Sequence, residues 1–184
     1  VERRMLSNTV KFYGGSRMKI HEETYNALNE LAKMCFEMNA VADNIYYNMA
    51  NLYYNHSAEL FHHSYAHAWG QVADMISDEM LKLNARPIRL PVDGANEEYD
   101  NLQLMMAVNS AAVNKVFEKC KEIVDLADML DDVDIRIFGE NLLNGVLLNY
   151  VKQSDEWLQV AKTVPAYHFD IHFSDYTHFI PIVE

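Results

Sequence analysis

From Glu22 to Leu83 apolar residues recur every three or four positions, with no proline and a single glycine. Leu28, Leu31, Ala32, Cys35, Ala42, Ile45, Met49 and Leu52 fall on one face, which predicts an amphipathic first helix. Asn55-His56-Ser57 predicts the break, with Ser57 as N-cap of a second helix. That helix is expected to run to about Leu83 and stop at Asn84-Ala85-Arg86-Pro87, because a residue before proline resists the α region.

Residues 85–98 hold Pro87, Pro91 and Gly94 and lack a helical period, so they read as the one substantial connection. A third helix is predicted from about Glu97 to Leu130, with Leu102, Met105, Ala112, Val116, Ile123, Ala127 and Leu130 in register. The Asp131-Asp132-Val133-Asp134 turn is expected to cap a fourth helix. That helix carries Phe138, Leu142, Val151, Leu158 and Ala161 and ends near Val164, before Pro165. Two helical hairpins with tight turns, joined by a longer link, predict an all-α four-helix bundle with one long crossover between helices 2 and 3. Residues 1–21 then form an N-terminal arm, 22–164 the bundle and 165–184 a tail. In the tail Tyr167, Phe169, Ile171 and Phe173 alternate with His168, Asp170, His172 and Ser174, a period of two that predicts an extended segment.

A chain of 184 residues is long enough for one domain with its own core. Six glycines and four prolines favour long helices over a turn-rich β fold. Cys35 and Cys120 sit in apolar helical patterns and read as core residues in a reducing compartment. No apolar run is long enough to span a bilayer or act as a signal peptide, so a soluble, cytoplasmic protein is expected. Charge is unevenly spread. The first 20 residues carry five basic residues against one acidic, a net +4; the remainder carries 10 basic and 26 acidic, a net −16. An acidic body repels nucleic acid and attracts cations. DNA binding is left to the basic arm alone, and a solvated tail is the preferred reading of that arm.

Most polar residues lie where a solvated face is expected, such as Glu118, Glu122 and Asp125 on the third helix. The second helix differs. At about 100° per residue, with Val72 at zero, His63 falls near 180°, Asp74 near 200°, His67 near 220°, Asp78 near 240° and Gln71 near 260°. Five side chains able to coordinate a metal thus share one outward strip, with no lysine or arginine before Lys82. His63 and His67 are one turn apart, as are Asp74 and Asp78. His67 and Asp74 are about 10 Å apart along the axis, too far for one ion held at about 2.0–2.2 Å by each.

Across a two-fold axis the pairs can meet. The midpoint of positions 63 and 78 is 70.5, and so is that of 67 and 74. An antiparallel contact crossing at Gly70-Gln71 would face His63 with Asp78 of a second copy, and His67 with Asp74, twice over. Gly70 lets the helices approach closely. Imidazole with carboxylate suits iron(II), with zinc or manganese as substitutes. A wet interface of His–Asp ion pairs without metal is the competing reading.

Ala73–Pro87, ADMISDEMLKLNARP, resembles the second helix of the mini-ferritins, the Dps-type starvation proteins of the ferritin-like superfamily. Asp74 stands at that family's Asp and Asp78 where it has Glu. Asp134 and Glu156-Trp157-Leu158 resemble the acidic start and Trp-containing end of its fourth helix. The resemblance implies a twelve-subunit homo-oligomeric shell that oxidises Fe(II), often with peroxide, and stores ferric mineral. It also implies a ferroxidase site at a two-fold interface, with His from one chain and the carboxylate pair from the other. Counted back from Asp74, the family's two His positions fall on Tyr47 and Glu59, while His56, His62, His63 and His67 lie nearby. The metal ligands expected are therefore His63, His67, Asp74 and Asp78, with Glu59, His56 and Gln71 as additional candidates. A site inside the bundle is not expected: the fourth helix carries no Glu-x-x-His, and the second carries one only at Glu59-Leu60-Phe61-His62. In the tail, His168, Asp170 and His172 are a lesser metal candidate, and packing against a neighbour is the preferred reading. The alternative to a ferroxidase is a ferritin-fold assembly protein without a working metal site.

Overall fold

The computed structural model describes residues 12–13 and 16–181. Its fold is all-helical apart from a two-residue antiparallel pairing of Phe12–Tyr13 with Ser16–Arg17. Helix α1 spans Glu22–Asn51. Next come α2 (Asn55–Leu60), a π-helical turn (Phe61–Ala66) and α3 (His67–Lys82), which form one continuous run because the backbone stays right-handed at both junctions. Helix α4 spans Leu102–Met129. A last long run joins α5 (Val133–Leu142), a second π-helical turn (Leu143–Leu147) and α6 (Leu148–Thr163). Among the described residues, no helix is long and apolar enough to cross a membrane.

The apolar stripes are where the three-to-four spacing puts them. Leu28, Leu31, Cys35, Ala42, Ile45 and Met49 of α1 are buried against Trp69, Val72, Ile76 and Met80 of α3 and Met105, Val116, Cys120 and Ile123 of α4. Both cysteines are free and buried.

Residues 83–101 are pinned along α1 rather than looping into solvent. Tyr25 Oη donates to Arg86 O (2.8 Å), and Ile88 N–H to Asn29 Oδ1 (3.0 Å). The Arg89 guanidinium lies 3.7 Å from the centre of the Phe36 ring. Asn44 and Asn48 both donate to Glu97 O, and Tyr99 N–H donates to Asn48 Oδ1 (2.8 Å). The contacts climb from position 25 to 48, about 35 Å at 1.5 Å per residue. The link therefore carries the chain from one end of α1 to the other, and α4 starts where α1 stops. Helix α4 then runs back. Its far end brings Asp132 onto the start of α1, where the carboxylate accepts from His21 N–H, the His21 ring and the Thr24 hydroxyl. Relative to α1, then, the run 55–82 and α4 point one way and the run 133–163 points with α1.

Three boundaries depart from the sequence reading for identifiable reasons. Tyr53 adopts a left-handed φ of 63°, so the turn closes early and α2 starts at Asn55 behind Tyr54. Ser57 is consequently inside the helix rather than its N-cap, and its N–H is taken by Asp170 Oδ1 (2.8 Å). Helix α4 begins only at Leu102, because Asn101 Oδ1 caps Leu104 N–H (2.8 Å) while the backbone at 97 and 99 is held by the asparagines of α1. Asp132 stands at the N-cap position of α5 but spends its side chain on α1.

The tail is not extended. Ala166–Ile171 is a helix, α7, followed by a 3₁₀ turn at Phe173–Tyr176. Phe169 and Phe173 are one turn apart and buried, whereas Tyr167 and Ile171 are exposed. The alternation of apolar and polar residues was produced by i, i+4 pairs that also happen to fall at odd positions. The two phenylalanines close the end of the core: Phe173 stacks on Trp157 (5.0 Å between ring centres), and Phe61 packs on both. Gln153 accepts from His178 N–H and Phe179 N–H and donates to Tyr176 O, and Trp157 Nε1–H donates to Thr177 Oγ1, so the segment is tied down to residue 179.

Candidate functional site

The outward strip on the second helical run is present. His63, His67, Gln71, Asp74 and Asp78 are all exposed, as are His56 and Glu59 on α2. They line the side opposite Trp69, Val72, Ala73, Ile76 and Met80, which are buried. Asp74 and Asp78 have no ion-pair partner among the described residues, although Lys82 lies one turn on, since Lys82 is taken by Glu79 (3.2 Å). At Gly70, the midpoint of the strip, an added Cβ would find no heavy atom within 4 Å.

The π-helical turn changes the geometry at the N-terminal end. An α-helix stacks residue i on i+4; a wide turn closed by i→i+5 bonds brings i close to both i+4 and i+5. His67 thus neighbours His63 (6.3 Å between ring centres) and also His62 (4.8 Å), and His62 and His63 are 4.9 Å apart. His62 is half-buried and held from two sides. Its Nδ1 is 3.2 Å from Asp43 Oδ1 on α1, and its ring stacks on Tyr46 (4.4 Å, 24° between planes). Sequence reasoning left His62 without a role, because an ideal α-helix turns it away from His67. The one signal available was its place beside His63.

Within one chain the strip does not gather into a metal centre. Among the described residues no three His, Cys, Asp or Glu side chains are placed to hold an ion. The core offers no alternative. Burial pushes the Cys120 thiol and the Tyr150 phenol up to about 12, and drives the Cys35 thiol and Tyr65 phenol up as well. All four stay protonated near neutrality and poor as anionic ligands. Tyr65 Oη instead donates to Asn109 Oδ1 (2.8 Å) in the middle of the fold.

In the tail, the structure separates the three candidates. His168 and His172 come together (4.4 Å between ring centres), but Asp170 is buried and turned inward to Ser57 N–H. In place of Asp170, Asp175 accepts from His172 Nδ1 (3.0 Å). The helix explains the exchange, since Asp170 lies between the two histidines in sequence but about 200° around the axis from each. For the basic arm, Arg3, Arg4 and Lys11 lie outside the described residues.

In sequence, the chain matches no family profile and no curated protein.

Proposed function

We propose that the chain is a subunit of a ferritin-like, Dps-type oligomer that binds and oxidises Fe(II) and stores the ferric product. The four long helical runs make a ferritin-like four-helix bundle, with residues 83–101 as its long crossover, and the subunits build a closed shell. The single observation that carries the reading is the strip of His63, His67, Gln71, Asp74 and Asp78. It is wholly exposed, without an ion-pair partner for either carboxylate among the described residues, and centred on open space at Gly70. Exposed histidines and aspartates free of lysine attract cations. A second copy, antiparallel across Gly70-Gln71, completes each set by adding carboxylates to imidazoles.

At such a site Fe(II) is the substrate. The carboxylates favour the ferric state by charge, and the imidazoles hold the ion through its change of oxidation state. Hydrogen peroxide takes one electron from each of two Fe(II) ions as its O–O bond breaks, and two protons complete two waters. Zinc(II) or manganese(II) would occupy the same ligands without turnover.

The test is an anaerobic Fe(II) titration followed by peroxide or oxygen, read as ferric absorbance. Saturable binding and rapid oxidation in the native protein, both lost in Asp74→Ala/Asp78→Ala, support the proposal. Equal oxidation in the double variant sinks it.

A second reading keeps the fold but uses the strip for assembly alone. It is favoured by the absence, among the described residues, of three converging ligands in one chain. It predicts metal-free protein as purified and an altered oligomer mass in the same double variant. DNA compaction through the basic arm ranks behind both and predicts gel shifts that fade with salt and with removal of residues 1–19.

A further inference from the structure

We propose that His62, His63 and His67 form a divalent transition-metal site within a single chain, with Asp43 as its positioning residue. The site shares His63 and His67 with the two-fold seam but needs neither Asp74, Asp78 nor a second copy, so His62 and Asp43 test it apart from the iron reading.

The geometry carries the proposal. When imidazole nitrogens bind one ion at about 2.0–2.1 Å in tetrahedral array, their ring centres sit roughly 5 Å apart. The three rings are 4.8, 4.9 and 6.3 Å apart. That spacing exists because the backbone makes a π-helical turn over Phe61–Ala66. A π turn is rare and weaker in its hydrogen bonding than an α turn, and such turns recur at functional sites. Here it brings both His62 and His63 beside His67, which an α-helix would do only for His63.

The second observation is the anchoring of His62. Asp43 Oδ1 lies 3.2 Å from its Nδ1, and the Tyr46 ring stacks flat against it. A carboxylate on Nδ1 selects the tautomer with Nε2 free to coordinate, the arrangement found behind metal-bound histidines. As the rings stand, no three donors converge. His63 and His67 are exposed, so closing the site calls for rotation of their side chains towards His62, with the remaining coordination position left to water. Three neutral imidazoles with an open position suit zinc(II), copper(II), nickel(II) or cobalt(II) over calcium or magnesium.

The experiment titrates the full chain with cobalt(II), a visible stand-in for zinc(II), and competes it with zinc(II). The expected result is one cobalt per chain with a d–d band. In His62→Ala affinity falls more than about tenfold and the band is lost. In Asp43→Asn it weakens about tenfold with a shifted band, a change that loss of packing alone would not produce. Asp74→Ala/Asp78→Ala keeps the d–d band that His62→Ala loses. Circular dichroism establishes that each variant keeps its helices. An unchanged titration in His62→Ala, or no saturable cobalt at all, overturns the proposal. Loss in the Asp74/Asp78 variant with retention in His62→Ala also overturns it and assigns the metal to the seam.

Discussion

Gly70→Ala should move the stability of the chain and the stability of its assembly in opposite directions. Gly70 lies inside α3, and a Cβ added there meets no heavy atom within 4 Å. Nothing in the folded chain opposes the substitution, so the intrinsic preference of a helix for alanine, about 0.8–1.0 kcal/mol, is realised nearly in full. For a chain of this size, about 1 kcal/mol raises Tm by about 2–4 °C. If two copies meet across Gly70-Gln71 as proposed, the two added methyl groups fall between helices that the glycines allow to approach. Overpacking of a close contact costs about 1–3 kcal/mol. At 1.4 kcal/mol per tenfold, that raises the dissociation constant of the two-fold contact by about 5- to 150-fold. Calorimetry below the association threshold reads the first effect, because assembly otherwise adds to Tm. Sedimentation equilibrium reads the second. A higher Tm with an unchanged dissociation constant would refute a dyad at Gly70.

Asp132→Ala removes the acceptor of His21 N–H at the start of α1 and strands the buried Thr24 hydroxyl. We expect a loss of about 2–4 kcal/mol in urea denaturation, the sum of one lost hydrogen bond to a charged acceptor and one orphaned buried donor. Gly139→Ala places a Cβ 2.6 Å from Val124 Cγ2 and should cost about 1–3 kcal/mol, with part recovered in a Gly139→Ala/Val124→Ala double variant. Cys120 and Tyr150 are held protonated to about 12 by burial, while the unfolded chain ionises from about 8.5 and 10. Stability is therefore intact below about pH 8.5 and falls as pH rises towards 12, read as an alkaline drop in the urea midpoint. In the folded chain at pH 8 neither cysteine should react with a thiol reagent, and both should react in denaturant.

The apolar stripes were readable because burial follows the helical period directly, and positions such as Leu28, Cys35, Ile76, Val116 and Ile123 are buried as their spacing requires. The outward strip was readable for the same reason. What escaped depends on partners distant in sequence. Asp132 and Asp170 look like turn and tail residues, yet each bonds a backbone N–H at the start of a helix more than 100 positions earlier. The α7 helix was hidden by an i, i+4 pair of phenylalanines that also satisfies a period of two. The π-helical turn leaves no trace in local composition, so the angle assigned to His63, and the neighbourhood of His62, could not be derived from an ideal helix. The wide turn also advances less per residue, which draws His63 towards Gly70 relative to the even spacing assumed for the proposed pairing with Asp78.

The central claim is that this strip meets its own copy. A nitroxide attached at Gln71→Cys tests it most directly, since both native cysteines are buried and stay unlabelled. Helices crossing at Gly70-Gln71 with axes about 8–10 Å apart place the two labels within roughly 20 Å, giving strong dipolar broadening that vanishes on dilution with unlabelled chain. A spectrum without dipolar coupling, in protein of oligomeric mass, would place the strip away from any two-fold contact and contradict the account.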